Sequence, residues 1–127
     1  MKKLSYFIFA LLLLSCSFSD KPLVLKKAEA LVDSLPGAAL KILEENKSAA
    51  DGFPTRYRMD YLLLYAMAMN KSYVSMDTVG FMPQVIRYYE DHGSTGELVT
   101  ANYMMGCVFR DKGDSPMALR YFLNATR

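Results

Sequence analysis

The sequence is poor in the side chains that carry most catalytic and metal chemistry. Its 127 residues include one histidine, His92, and two cysteines, Cys16 and Cys107. A single histidine excludes a histidine-rich metal site, and no Cys-x-x-Cys pair supports a zinc or dithiol motif. No glycine-rich loop precedes Lys-Ser or Lys-Thr, so nothing supports nucleotide binding. We therefore predict no catalytic set, no cofactor and no metal ion, and we do not expect an enzyme.

An excess of charge of one sign is also lacking. The chain has 15 basic and 13 acidic residues, and Lys2 and Lys3 lie in a segment predicted below to be removed, which leaves 13 of each sign. No basic run is interleaved with aromatic residues, so a nucleic-acid partner is not expected. Apolar residues make up 52% of the chain, which favours a folded domain with a modest core over a disordered chain.

The N-terminal apolar run is too short to span a membrane. It extends from Leu4 to Leu14, is broken only by Ser5, and follows two lysines, whereas a membrane-spanning helix needs about 20 apolar residues. This pattern is typical of a secretory signal, and we predict a signal peptide over residues 1–15. The run ends in the letters LLSC, with the cysteine at position 16.

This ending is similar to the lipobox of bacterial lipoproteins. The resemblance implies cleavage before Cys16 and attachment of diacylglycerol to its thiol, so Cys16 is the predicted lipid attachment and membrane contact. Two or more acyl chains make a stable anchor. Residues 16–21 are the predicted tether, and Ser17 implies an outer-membrane lipoprotein of the cell envelope, on its periplasmic face or its surface. An inner-membrane location and an ordinary export signal with a chance cysteine are the alternatives.

From Pro22 onward the apolar spacing is helical. It predicts an all-α fold in which six helices form three antiparallel hairpins, stacked as a short solenoid over residues 22–127. The predicted helices cover about 22–34, 36–47, 55–71, 78–92, 95–112 and 115–127. The fifth opens with a Ser94-x-x-Glu97 capping box, and Asp114 with Pro116 opens the sixth.

The third and fifth predicted helices share an apolar pattern at i, i+3, i+4 and i+7, and Gly106 follows Ala66 by 40 residues. Together with the residues around Ala118 and Phe122, this pattern resembles the tetratricopeptide repeat, a helix–turn–helix of about 34 residues. The resemblance implies that Gly106 lets the paired helix approach closely, with Ala118 in the facing notch. The packing residues that it implies are Ala66, Gly106, Phe109, Ala118, Phe122 and Ala125.

With the lipobox, these repeats resemble bacterial tetratricopeptide lipoproteins, and the last repeat reads as incomplete. In such stacks the first helix of each hairpin lines a groove that binds another protein or peptide. The register predicts groove residues at Asp60, Leu63, Met67, Asn70, Thr100, Tyr103 and Arg110. Cys107 falls on the same stripe, although a small buried cysteine is the commoner outcome, and Arg110 is the predicted anchor for a carboxylate. The alternative is that a further hairpin covers this face.

The function expected from these features is a membrane-anchored module for protein–protein interaction in the cell envelope. The alternative is the sensory or regulatory periplasmic half of a larger transmembrane tetratricopeptide regulator, truncated here. Leu119 and Leu123 lie off the packing stripe of the last helix. We expect them to stay exposed and to allow self-association through that helix.

Overall fold

The computed structural model describes residues 20–127, which form an all-α fold without strands. The predicted signal peptide, most of the tether and Cys16 lie outside the described residues. The helices within 20–127 are α1 Leu23–Leu31, α2 Pro36–Glu45, α3 Lys47–Ala50, α4 Thr55–Lys71, α5 Met82–His92, α6 Thr95–Asp111 and α7 Ser115–Ala125.

Capping side chains explain why the last two helices begin where they do. The Ser94 hydroxyl accepts a hydrogen bond from the Glu97 backbone N–H at 3.3 Å and donates one to the Glu97 carboxylate at 3.0 Å. Asp114 accepts from the Met117 backbone N–H at 3.2 Å, and Pro116 lies in the first turn of α7. Each cap satisfies a backbone donor that has no partner within its helix.

The helices pack as three successive hairpins: α1 with α2, α4 with α5, and α6 with α7. The second helix of each of the first two hairpins also contacts the first helix of the next, as α2 does with α4 and α5 with α6. The first helices form their own row, because α4 contacts both α1 and α6. The stacked arrangement that the sequence predicts is therefore present, and its core lies between the two rows.

The buried residues follow the predicted helical faces. Ala39, Leu40 and Leu43 point inward from α2, and α4, whose centre is uncharged, buries seven of its side chains. A helix that is apolar almost all round is normally enclosed by neighbours. α4 fits this rule because it contacts α1, α2, α5 and α6.

Several helix boundaries differ from the prediction. α1 ends at Leu31 rather than at residue 34. The chain turns at Asn46, whose side-chain amide donates to the Ile42 carbonyl at 2.8 Å, and then forms the short helix α3. α5 begins at Met82 rather than at residue 78, because Met76 is fully buried and holds the preceding loop against the stack. The Met76 backbone N–H donates to the Asp111 carboxylate at 2.9 Å.

No helix within residues 20–127 has both the length and the apolar character needed to cross a membrane.

Candidate protein-binding cleft

A cleft of about 400 Å³ opens on the row formed by the first helices. Residues of α1, α4 and α6 line it together with Tyr89 of α5. Four of the predicted groove residues meet here, namely Asp60, Leu63, Met67 and Thr100. One side of the stack thus brings together side chains from all three hairpins.

The floor of this cleft is apolar. Val32, Leu63 and Leu64 are buried, with 4%, 7% and 5% of their surfaces exposed, and Met67 is half-buried at the edge. The buried leucines mainly hold the helices together, so the surface that remains available is the flexible Met67 side chain and the polar rim. Flexible methionine side chains are common at surfaces that adapt to a partner.

Asp60 is fixed at the cleft by a bond to the neighbouring helix. The Tyr89 hydroxyl of α5 donates to Asp60 Oδ1 at 2.5 Å, and Tyr89 is 2% exposed. Burial, and then the hydrogen bond and charge of Asp60, raise the pKa of Tyr89 well above its usual value. The phenol therefore stays neutral at physiological pH and remains a hydrogen-bond donor to Asp60.

The rim carries charges of both signs. Lys21 and Glu29 form an ion pair at the α1 side. Glu97 is bonded to the Ser94 hydroxyl, and the Thr100 hydroxyl donates to the Gly96 carbonyl at 3.0 Å. Arg56 is the exception: it is exposed and makes no ion pair with another residue of 20–127. It is the rim cation with greatest freedom to meet a partner's carboxylate.

Asn70 and Arg110 lie at a second cleft of about 420 Å³, beside the ends of α4 and α6. The Arg110 guanidinium donates to the Asn70 side-chain oxygen at 2.9 Å and to the Asp111 carboxylate at 3.0 Å. The bond to Asp111 raises the pKa of Arg110. Burial acts to raise the pKa of Asp111, but the bonds from Arg110 and the Met76 N–H outweigh it and lower that pKa. The guanidinium thus ties α6 to α4, and its role as an anchor for a ligand carboxylate stays a prediction.

Two further residues of the predicted stripe, Tyr103 and Cys107, line neither cleft. Tyr103 is 46% exposed, and its ring centroid lies 5.3 Å from that of Phe122 in α7. Cys107 is a free thiol with no exposed surface, and burial is the main cause that raises its pKa. Helical register predicts which face of a helix a residue occupies. How deeply its side chain is buried depends on the helix packed against that face.

The packing residues surround an unusually close approach between α6 and α7. A Cβ added at Gly106 would lie 2.4 Å from an edge carbon of the Phe122 ring. The group that faces Gly106 is thus Phe122, whereas the sequence had pointed to Ala118. Phe109 stacks on Tyr121 with ring centroids 5.6 Å apart. Ala66 and Ala118 are buried, and Ala125 is half-buried.

Sequence reasoning missed three residues that matter on this side of the molecule: Arg56, Tyr89 and Tyr73. Helical spacing predicted the helix that carries Tyr89 but gave no sign that its hydroxyl would find an acceptor in Asp60. Tyr73 was assigned only to a connecting loop. The position after the end of a helix often has a positive φ and is usually glycine. An aromatic residue at that position, as at Tyr73, is the signal that could have found it.

Within residues 20–127, no group of histidine, cysteine and acidic side chains is arranged to hold a metal ion. The chain matches no protein-family model, no curated protein and no solved structure.

Proposed function

We propose that the chain is a membrane-anchored lipoprotein whose tetratricopeptide-like hairpins form a protein–protein interaction module in the cell envelope. The observation that carries the proposal is the cleft between α1, α4 and α6, with its apolar floor and charged rim. An apolar centre surrounded by polar side chains is the usual anatomy of a surface that binds another protein.

The repeat-like relation between hairpins supports this reading. α4 and α6 both have 17 residues, and both face the cleft as first helices of their hairpins. Stacked helix pairs of this kind present a continuous surface built from equivalent helices, which is how repeat proteins bind extended partners.

The cleft is tested by photocrosslinking in cells that produce the full chain. A photoreactive amino acid at position 56 stands at the rim, while the same group at Lys41 stands on an exposed part of α2 outside the clefts. We expect a defined protein adduct from position 56 that is absent from position 41. Identical adducts from both positions would contradict a specific site.

The membrane attachment is tested separately. The proposal assigns the lipid to Cys16, so Cys16→Ala is expected to abolish incorporation of a fatty-acid probe and to release the chain from membranes. Cys107→Ala is the matched control, because that thiol is buried in the fold, and it is expected to leave labelling unchanged. A Cys16→Ala variant that still takes up the probe would contradict the lipoprotein assignment.

A further inference from the structure

A third cleft, of about 300 Å³, lies where α4 begins and α5 ends, and the proposed function does not use it. Arg58 of α4 and Arg87 of α5 both line it. The polar residues that complete its lining are Thr55, Gln84, Tyr88, Asp91 and His92. It shares no lining residue with the cleft between α1, α4 and α6. Two guanidinium groups from different helices therefore meet at a separate surface.

Neither arginine has a side-chain partner within residues 20–127. Arg58 and Arg87 form no ion pair there, and all arginine side-chain hydrogen bonds among these residues come from Arg110. Arg58 is also half-buried, so its charge is partly withdrawn from water without a compensating carboxylate. Withdrawing a charge from water costs free energy unless the charge is paired. The partner that α4 and α5 do not supply is expected in a ligand.

The charges that line this cleft favour an anion. Asp91 is the one carboxylate among the described lining residues, and it is exposed and forms no ion pair within 20–127. Even if Asp91 turned to Arg87, one helical turn earlier, the charge of Arg58 would remain uncompensated. The Tyr88 hydroxyl and the Gln84 amide add neutral donors. The lining therefore has an excess of positive charge, with neutral hydrogen-bond donors beside it.

The number of donors favours a phosphate over a carboxylate. α4 begins at Thr55 beside the cleft, with no side-chain cap and no acidic residue in its first turn. The first backbone N–H groups of a helix have no partner within it and attract anions. The helix start is not a site alone, but it adds to two guanidiniums, each of which can form paired bonds to phosphate oxygens. A phosphate monoester presents three strong acceptor oxygens, whereas a carboxylate presents two.

The end of the stack that carries this cleft is also the end at which the predicted tether joins the fold. Lys21, the last residue of that tether, lines the cleft between α1, α4 and α6 together with Arg56, the second residue of α4. Arg56 also lines a further cleft with His92, the last residue of α5. Lys21 follows Cys16 by five residues, which span at most about 18 Å. An acyl group on Cys16 would therefore keep this end of the stack near the membrane.

We propose that the cleft between α4 and α5 binds the phosphate group of a lipid headgroup, held by Arg58 and Arg87, in the membrane that carries the chain. The inference rests on the proposed membrane attachment, because acylation of Cys16 is what brings headgroups within reach of this end of the stack. A bound headgroup fixes the orientation of the stack on the membrane. Since the two clefts share no lining residue, a protein partner and a lipid can be bound at the same time.

Binding is tested by thermal unfolding of the full chain, produced in cells and extracted in non-ionic detergent, with dihexanoyl phosphatidic acid as the probe. We expect Tm to rise with the lipid concentration, because a ligand that binds the folded state stabilises it. Dihexanoyl phosphatidylcholine, whose phosphate charge is offset by choline, is the matched control and is expected to leave Tm unchanged. No rise with phosphatidic acid, or an equal rise with both lipids, would overturn the proposal. An equal rise with the same concentration of inorganic phosphate would indicate a free phosphate as the ligand and overturn the lipid assignment.

Two substitutions identify the residues that hold the phosphate. Arg58→Gln and Arg87→Gln are each expected to weaken binding of phosphatidic acid at least about tenfold, in the range for a lost hydrogen bond to a charged group. Their Tm without lipid is expected to stay unchanged, because neither side chain has a partner to lose within 20–127. Unweakened binding in these variants would overturn the assignment, and lost binding with a lower lipid-free Tm would give the arginines a structural role and also overturn it.

The control substitution is Arg120→Gln, since Arg120 is exposed on α7 and lines none of the clefts described above. It is expected to bind phosphatidic acid as the unmodified chain does, and equal weakening would indicate general charge attraction and overturn the site. Fatty-acid labelling of Cys16 separates this inference from the proposed function. Labelling without an arginine-dependent lipid effect would overturn the inference and leave the membrane attachment standing. The lipid effect without labelling would support the site and contradict the attachment.

Discussion

The second and third hairpins solve the same packing problem by different means. In the α4–α5 hairpin an alanine, Ala66, stands at the contact position, residues 72–81 connect the helices, and the Tyr89–Asp60 bond joins them. In the α6–α7 hairpin a glycine, Gly106, lets the Phe122 ring approach the backbone, and residues 112–114 connect the helices. The hairpin with the short connection, α6–α7, is held by close apolar packing. The hairpin with the long connection, α4–α5, has a hydrogen bond between its helices. Five predictions follow from this contrast.

The largest effect is expected from filling the space at Gly106. Because a Cβ there would lie 2.4 Å from Phe122, Gly106→Leu is expected to lower the free energy of unfolding by about 3 kcal/mol, the upper end of typical overpacking costs. Urea denaturation monitored by circular dichroism measures the change.

The control for this prediction is the same position in a Phe122→Ala background. Without the ring, Gly106→Ala is expected to stabilise the protein by about 1 kcal/mol, since alanine is the better helix former. If Gly106→Ala behaves identically with and without the ring, the close approach does not set the stability of this hairpin.

The second hairpin is expected to depend on its polar bond. Tyr89→Phe removes the hydroxyl that donates to Asp60 and is expected to cost about 2 kcal/mol, within the range for hydrogen bonds to charged groups. Tyr88→Phe is the neighbouring control, because the Tyr88 hydroxyl makes no hydrogen bond within residues 20–127. Equal losses in the two variants would assign the effect to packing.

The same bond predicts how stability depends on alkaline pH. Burial is the main cause that raises the pKa of Tyr89 and also raises that of Tyr61 to about 12. A raised pKa in the folded state favours the neutral phenol, so this contribution is complete below about pH 10, the ordinary tyrosine value, and is lost as the pH rises through the folded values. Urea unfolding at a series of alkaline pH values is expected to show a shallower decline in Tyr89→Phe than in the unmodified chain.

A smaller effect is expected at the equivalent ends of α4 and α6. Tyr73→Gly is expected to stabilise the monomer by about 1 kcal/mol because it removes a left-handed tyrosine. Gly113→Ala, at the corresponding position with φ of 78°, is expected to destabilise by a similar amount. Thermal unfolding of both variants measures the two changes, and changes of the same sign would refute the equivalence of the two helix ends.

The smallest effect is expected on α7. Leu119 and Leu123 are 59% and 51% exposed, so replacing them with Lys and Glu is expected to change the unfolding free energy by less than about 0.5 kcal/mol. Leu40 of α2 follows the buried Ala39, as Leu119 follows the buried Ala118, but Leu40 is only 9% exposed. Leu40→Ala is expected to cost about 2 kcal/mol, the lower end of the range for such truncations, and comparable changes at the two sites would contradict the observed difference in burial.

Local signals in the sequence predicted most of the helical organisation. The bounds of α4 agree with the prediction, and the caps at Ser94 and Asp114 form the expected hydrogen bonds. These features depend on neighbouring residues, so spacing and residue type are sufficient to find them. The start of α5 depends instead on Met76 and its distant partner Asp111, and no local pattern contains that information.

The sequence predicted which side of the stack carries the candidate cleft, but not how the side chains there pair with one another. Helical register placed Asp60, Met67 and Thr100 on one side, and the structure brings them to one cleft. Register did not predict that Arg110 would be held by Asn70, a residue 40 positions earlier. Side-chain pairing across helices depends on helix rotation and spacing, which the pattern of one helix does not specify.

The buried thiol of Cys107 has a practical consequence for measuring motion. Thiol reagents attack the thiolate, and burial both shields Cys107 and disfavours that form. In a Cys16→Ser chain, alkylation of Cys107 therefore proceeds only through molecules in which α6 has separated from its neighbours. The ratio of the observed labelling rate to that of an unfolded peptide gives the free energy of this opening under native conditions. Comparing that value with the global unfolding free energy shows whether the stack opens one hairpin at a time or all at once.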